Sequence, residues 1–202
     1  MIAELKKKNI AGAILAGGEA KRLDGVAKGT IEVRNSDCII ERLIKEFYTA
    51  GINDIVIVAN DSRPYRNSGM KIIPDLRTGN GPIGGIESAL VHFDGKCDAV
   101  LFVPCDMPNI TAKEFIALKK AFVEKKNAVV FAETKGFFWH PLCAIVHIGL
   151  KEKISSAIDN NQRTIRDLWT QINAEAVQFS NTGVFVNIND FKDMENWQKT
   201  QK

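Results

Sequence analysis

Ile55-Val56-Ile57-Val58 is an unbroken β-branched run with no polar position. A strand with one wet face alternates polar and apolar residues, so this run describes a strand covered on both faces, as in a parallel sheet between helices. Ile10–Leu15 and Ala99–Val103 are apolar in the same way, and helical stripes follow each run. Ile39, Ile40, Leu43, Ile44 and Phe47 form the first stripe; Ile86, Ala89, Leu90 and Phe93 the second; Phe115, Leu118 and Phe122 the third. Doubly covered strands alternating with helices predict a three-layer α/β/α fold around a mostly parallel central sheet. A chain of 202 residues can bury roughly 70% of its extended surface. A single domain spanning 1–202 is therefore expected, with 1–8 as a flexible N-terminal extension.

The connecting elements read as follows. Thr30–Val33 is expected to be extended, with Asp37 capping the first helix ahead of Glu41 and Gly51 ending it. The polar stretch Asp61–Gly69 reads as a surface connection with at most one helical turn, before a brief strand at Lys71–Ile73. Pro82 suits the first turn of the second helix, and Thr111 with Glu114 forms a capping box for a third through about Lys126. Strands are predicted at Ala128–Ala132 and at Leu142–Val146, the latter introduced by Trp139-His140-Pro141. Helices near Leu150–Ile158 and Thr164–Thr170, a strand near Ala176–Phe179, an extended Val184–Val186 and a helix near Phe191–Gln198 complete the chain.

Several function classes are disfavoured. The net charge of +3 comes from 27 basic and 24 acidic residues that are largely interspersed, which argues against nucleic acid as a partner. No stretch approaches the roughly 20 apolar residues of a membrane span, and the run after Lys6-Lys7-Lys8 is too short for a signal peptide. A cytoplasmic protein with no membrane partner is expected. Cys38, Cys97, Cys105 and Cys143 lack Cys-x-x-Cys spacing and read as reduced core thiols. His92, His140 and His147 show no i, i+4 pairing for zinc.

The chemistry concentrates where the strands end. After Ile10–Leu15 the chain passes Gly17-Gly18 into a loop carrying Lys21, Arg22 and Lys28, which suits a polyphosphate. It is not a Walker loop, since Ala27-Lys28-Gly29 replaces Gly-Lys-Ser/Thr, and Gly12, Gly17 and Gly18 are misspaced for a dinucleotide fingerprint. As a bare turn it could also be purely structural. Asp106, just past the Ala99–Val103 strand and flanked by Pro104 and Pro108, could bind Mg²⁺ or cap its own turn. In Asn187-Ile188-Asn189 the two amides share one side of an extended segment. They could address one site, or Asn189 or Asp190 could cap the last helix. Asp75, before the glycine-rich loop Thr78–Gly85, carries the same ambiguity.

Taken in order, Leu15-Ala16-Gly17-Gly18-x-x-x-Arg22 with Lys28, Pro74-Asp75 leading to Gly81-Pro82-Ile83-Gly84-Gly85-Ile86, Pro104-Cys105-Asp106-Met107-Pro108, His140-Pro141-Leu142 and Asn187-Ile188-Asn189 resemble the molybdenum cofactor guanylyltransferases, the MobA group. The resemblance spans nearly the whole chain and implies the Rossmann-like nucleotidyltransferase fold. It implies transfer of GMP from GTP to molybdopterin or Mo-molybdopterin, with release of pyrophosphate. Arg22 would then hold the β and γ oxygens, Lys28 the α-phosphoryl group, and Asp106 an Mg²⁺ or Mn²⁺ ion with Asn187 or Asn189. Leu15, Ala16, Gly17 and Gly18 would lie against the nucleotide, with Asn60 and Asp75 near guanine and ribose. Lys21, Gly81, Pro82, Gly84 and His140 would face the pterin. Other cofactor-biosynthesis proteins and acceptor apo-enzymes are further partners the resemblance suggests.

The chain departs from that pattern in three places. Ala27 stands where an Asp commonly precedes the loop lysine, so any role of that carboxylate is absent or supplied by Asp24. Asn35-Ser36-Asp37-Cys38 replaces Gly-x-Pro, and Asp190 replaces Thr-Pro. The rival readings are a cytidylyltransferase for the same pterin, a sugar-1-phosphate nucleotidyltransferase, and a regulatory nucleotide-binding protein. Gly17-Gly18, where cytidylyl relatives more often carry Ala-Gly, favours guanine.

Overall fold

In the computed structural model, residues 8–17, 27–33, 37–162 and 164–200 are described. Seven strands form one sheet in the order β3-β2-β1-β4-β6-β5-β7. They are β1 (Ile10–Leu15), β2 (Ile55–Val58), β3 (Lys71–Ile73), β4 (Ala99–Pro104), β5 (Val129–Thr134), β6 (Phe138–His147) and β7 (Glu175–Phe179). All run in one direction except β6, which is antiparallel to both β4 and β5. The reason is the connection: β5 passes to β6 through three residues, with Gly136 at φ 86° and Phe137 at φ 60°. So short a link makes a hairpin, whereas a parallel crossover needs a dozen residues or more.

Among the described residues six α-helices cover the two faces: α1 (Ile39–Thr49), α2 (Gly81–Phe93), α3 (Ala112–Lys125), α4 (Lys151–Asp159), α5 (Ile165–Gln171) and α6 (Phe191–Thr200). Alternate strand residues feed opposite layers. Ile14, Ile57, Leu101 and Val103 pack with Leu43 and Phe47 of α1, Phe115 and Phe122 of α3, and Trp197 of α6. Ala13, Val56, Val100 and Phe102 pack with Ile83 and Leu90 of α2, Ile154 of α4 and Trp169 of α5. The expected three layers are thus present, and among the described residues no helix is long and apolar enough to cross a membrane.

Local differences from the sequence reading have physical causes. Cys38, not Asp37, is the N-cap of α1: its backbone N–H donates to Glu41 in a capping box, while Asp37 pairs with Lys45. Thr30 is not extended, because Lys28–Thr30 is a 3-10 turn closed by the Thr30 backbone N–H and hydroxyl on the Ala27 carbonyl, at 2.9 and 2.8 Å. Thr182–Phe185 is likewise a 3-10 turn in place of an extended piece, started by the Asn181 side chain accepting from Gly183 N–H. The 61–69 connection contains a six-residue 3-10 helix, Arg63–Ser68, and buries Tyr65. Strand β6 starts at Phe138 and so includes Trp139-His140-Pro141. The capping box of Thr111 and Glu114 is formed as expected.

Gly12 shows why a glycine stands inside a buried strand. A Cβ there would lie 2.8 Å from the Phe47 ring, and that fully buried ring is held against Phe115, with centroids 4.7 Å apart. Overpacking of this kind costs about 1–3 kcal/mol. Gly12→Ala is expected to lower stability by that amount in urea unfolding; an unchanged midpoint would mean that the ring can move aside.

Candidate functional site

Strands β1 and β4 are neighbours in parallel register, Leu15 beside Pro104. Their ladder continues one step further, with Cys105 N–H donating to Leu15 O at 3.0 Å, so Ala16-Gly17 and Asp106 leave the sheet side by side. On the other flank Ala16 N–H donates to Val58 O, and Ala59 N–H to Ile73 O, each at 2.9 Å. Four chain segments therefore emerge at the carboxyl edge, where ligands of such sheets bind.

The centre of this edge is a three-residue cluster. Lys28 Nζ lies 3.2 Å from Asp106 Oδ2 and 3.0 Å from Asn189 Oδ1. Burial raises the Asp106 pKa above its ordinary value, and the Lys28 ammonium opposes that shift. Among the described residues, the second carboxylate oxygen, Oδ1, is buried with no hydrogen-bond partner. Buried polar atoms are nearly always satisfied, and a bare one marks a place for an ion, water or substrate group.

Asn189 is freed for this contact because its neighbours cap α6. Asp190 Oδ1 accepts from Asp193 N–H at 2.8 Å, and Asp193 Oδ2 accepts from Asn189 N–H at 2.9 Å. Ile188 is fully buried, and its N–H donates to Asp106 O at 2.8 Å, which ties this segment to the Asp106 loop. Asn187 is exposed. Among the described residues no three His, Cys, Asp or Glu side chains converge. Asp106 and Asn189 offer an ion here a carboxylate and an amide oxygen, hard donors of the kind Mg²⁺ takes alongside waters and substrate oxygens.

Asn60 and Asp75 engage each other. The Asn60 amide donates to Asp75 Oδ2 at 2.8 Å, and Asp75 N–H donates to Asn60 Oδ1 at 2.9 Å, clamping the ends of β2 and β3. Helix α2 begins against this clamp. A Cβ on Gly84 would come 3.1 Å from Arg77 O, and one on Gly85 would come 3.1 Å from Leu15 Cδ2 and 3.6 Å from Asp75 Oδ1. Gly81, at φ 57°, and Pro82 start the helix.

Gly84 and Gly85 therefore adjoin Asp75 and Leu15, residues expected near the nucleotide. His140 lies on β6, on the other side of β4. It is buried, stacked on Phe185 with centroids 4.5 Å apart, and 3.1 Å from Thr134 Oγ1. It can shape a subsite wall but offers little surface to a ligand.

Of the remaining expected residues, Leu15 is buried, Ala16 half-buried and Gly17 exposed. Gly18, Lys21 and Arg22 lie outside the described residues, as do Asp24, Asn35 and Ser36. Ala27 packs against the core at the start of the Lys28 turn. Two residues passed over in the sequence adjoin the cluster: Tyr65 and Cys105. Cys105 read only as a core thiol, and burial pushes it up to about 12, so it stays protonated and is no nucleophile.

Residues 12–176 match the model of the MobA-like NTP transferase domain. The chain belongs to the MobA-like NTP transferase family. It is 30% identical to the molybdenum cofactor guanylyltransferase of Yersinia pestis (strain Pestoides F) over 197 residues, 96% of this chain and 97% of that one. The molybdopterin-guanine dinucleotide biosynthesis protein A of Archaeoglobus fulgidus has the same fold, with a TM-score of 0.77 at 21% identity over 95% of this chain and 98% of that chain. The fold also extends to 4-diphosphocytidyl-2C-methyl-D-erythritol synthase from Anaerococcus prevotii, at a TM-score of 0.72 and 14% identity, covering 98% and 100% of the two chains. For this MobA-like chain the family match spans β1 to β7 and includes Lys28 and Asp106.

His140 gives the family member a testable pH signature. Burial lowers its pKa from 6.5 to about 4. Between those values the unfolded chain binds a proton that the native chain refuses, so stability is complete above pH 6.5 and declines as pH falls, by about 3 kcal/mol at full extent. His140→Gln is expected to flatten that part of the stability curve measured by urea unfolding. Parallel curves for the two proteins would contradict the assignment.

Proposed function

We propose that this protein transfers GMP from GTP to molybdopterin or Mo-molybdopterin, forming the guanine dinucleotide cofactor and pyrophosphate. The observation that carries the reading is Lys28 fixed between Asp106 and Asn189, with Asp106 Oδ1 buried and bare. Membership of the MobA-like family and the guanylyltransferase relative support the same reaction.

The terminal phosphate monoester of the acceptor needs no activation by a protein base, because its oxygens already carry charge near neutral pH, where a second phosphate pKa is about 6. One of those oxygens forms a bond to the α-phosphorus of GTP. The bond from that phosphorus to the α–β bridging oxygen breaks, and pyrophosphate leaves with the electron pair. Such a displacement asks the protein for alignment and charge stabilisation and for no covalent intermediate.

Lys28 supplies both. An ammonium has three donors, and two are taken by Asp106 and Asn189. The third remains for an α-phosphoryl oxygen, aimed by the other two. A bound divalent cation would neutralise charge on the triphosphate, held by Asp106 with Asn189, while Asn187 stands exposed nearby for a water-mediated contact. Arg22 is the proposed holder of the β and γ oxygens. Leu15 to Gly18 would line the nucleotide, with the Asn60–Asp75 clamp facing guanine and ribose. The glycine-rich start of α2 belongs to that nucleotide side, leaving the β6 side near His140, with Lys21, for the pterin.

With molybdopterin, Mg²⁺ and each nucleoside triphosphate in turn, pyrophosphate release is expected with GTP. Release with CTP alone would overturn the base assignment, and binding without turnover would overturn the enzymatic reading. In the same assay Lys28→Ala is expected to lower kcat by about 10²–10³-fold, the usual loss for one preorganised donor to a developing charge. A variant that keeps the wild-type rate would remove Lys28 from the reaction.

A further inference from the structure

The segment that carries Asn187 and Asn189 runs between two elements, the 3-10 turn Thr182–Phe185 and helix α6. One side chain from elsewhere in the chain is bonded to both. Asn109 Nδ2 donates to Gly183 O at 3.0 Å, and Asn109 Oδ1 accepts from Trp197 Nε1 at 2.8 Å. These partners fix which way the amide points, since an indole N–H can only donate and a backbone carbonyl can only accept. Gly183 is itself held, its N–H donating to Asn181 Oδ1 at 3.0 Å, and Trp197 is buried in the core. Asn109 therefore joins a fixed point before the segment to a fixed point after it.

Asn109 stands three residues after Asp106. Met107 and Pro108 between them are buried, and proline fixes its own φ, so Asp106 and Asn109 belong to one stiff turn. The segment meets that turn again at its middle, where Ile188 N–H donates to Asp106 O at 2.8 Å. One residue on, Asn189 Oδ1 accepts from Lys28 Nζ at 3.0 Å. Apolar packing of Phe185 and Ile188 keeps the segment on the core, but such contacts are non-directional and tolerate sliding. Hydrogen bonds at both ends set the register. We propose that Asn109 is a positioning residue that holds Asn189 in register with Asp106 and Lys28, and so sets how tightly this site takes a divalent cation. The consequence for the cation rests on the guanylyl-transfer reading. The geometric consequence does not.

Amide hydrogen exchange of the full chain without ligand, followed by NMR, tests the geometry. Asn109→Leu keeps the size of the side chain and removes both polar atoms. Exchange at Ile188 N–H, which bonds across to Asp106, is expected to quicken about tenfold, as the net loss of one hydrogen bond does. Exchange at Asp193 N–H, which bonds to Asp190 inside the α6 cap, should change little. Unchanged exchange at Ile188 would overturn the proposal, and so would equal acceleration at Ile188 and Asp193, the mark of a generally loosened C-terminal helix. Should the leucine variant fold poorly, Asn109→Asp keeps the acceptor for Trp197 and removes the donor to Gly183. It should raise exchange at Ile188 in the same direction, and an unchanged value would again contradict the proposal.

The cation is tested with Mn²⁺ and a non-hydrolysable GTP analogue, the bound ion being read by electron paramagnetic resonance. Asn109→Leu is expected to weaken Mn²⁺ binding in the presence of the analogue by about tenfold to a hundredfold, the usual loss when a residue supporting a metal ligand is removed. Affinity for the analogue without metal should stay at the wild-type value, because Asn109 acts on the ion's side of the site. Excess Mg²⁺ should restore turnover, which general loosening of the fold would not allow. Wild-type Mn²⁺ affinity in the variant would contradict the proposal. Wild-type protein that binds no Mn²⁺ with any nucleotide would count against the guanylyl-transfer reading alone, leaving exchange at Ile188 to judge Asn109.

Discussion

Asp106 is a carboxylate that its surroundings disfavour, placed at the end of a strand buried on both faces, and Lys28 is the charge that opposes the cost. Much of the architecture brings these two groups together. Parallel pairing of β1 with β4 puts the residues after Leu15 and Pro104 at one edge. The segment before α6 returns to that edge through Ile188 and adds Asn189 to the lysine. Among the described residues this buried charge has one charged partner and one bare oxygen, an arrangement unfavourable for a purely structural site and suited to one that receives cationic charge with its ligand.

The pair also divides the site. On the β2–β3 side, the Asn60–Asp75 clamp and the glycines opening α2 make a close-packed wall in which Leu15 meets Gly85. On the β6 side the wall is aromatic, running from Phe138 through His140 and Phe185 to Phe179. One flank is built of backbone and small polar groups, the other of rings. In the proposed reaction the first flank would take the nucleotide and the second the acceptor, on either side of Lys28 and Asp106.

The sequence showed the fold through its apolar runs, because burial on both faces leaves a period that only a covered parallel sheet produces. Thr111 and Glu114 were legible as a cap for the same local reason. Asp106 and Asn189 could be picked out by residue type and place at strand ends, but Lys28 between them could not be read as their partner. That contact joins positions 78 and 161 residues apart. Tyr65 was hidden by its neighbours, since a polar, turn-forming stretch masks a single inward side chain. The packing of Gly84 and Gly85 against Asp75 and Leu15 was not legible, because spacing along the chain does not say which side of a sheet edge a helix start adjoins. Asp37 looked like a cap by type, whereas the backbone placed Cys38 there with Glu41.

On the proposed reading, Asp106 and its bare oxygen receive a divalent cation together with the nucleotide. The most direct measurement is electron paramagnetic resonance of Mn²⁺ titrated into the protein, with and without a non-hydrolysable GTP analogue, for wild type and Asp106→Ala. A bound-ion signal is expected in the wild type that depends on the nucleotide and disappears in the variant. Equal Mn²⁺ binding by the two proteins in the presence of the analogue would contradict it.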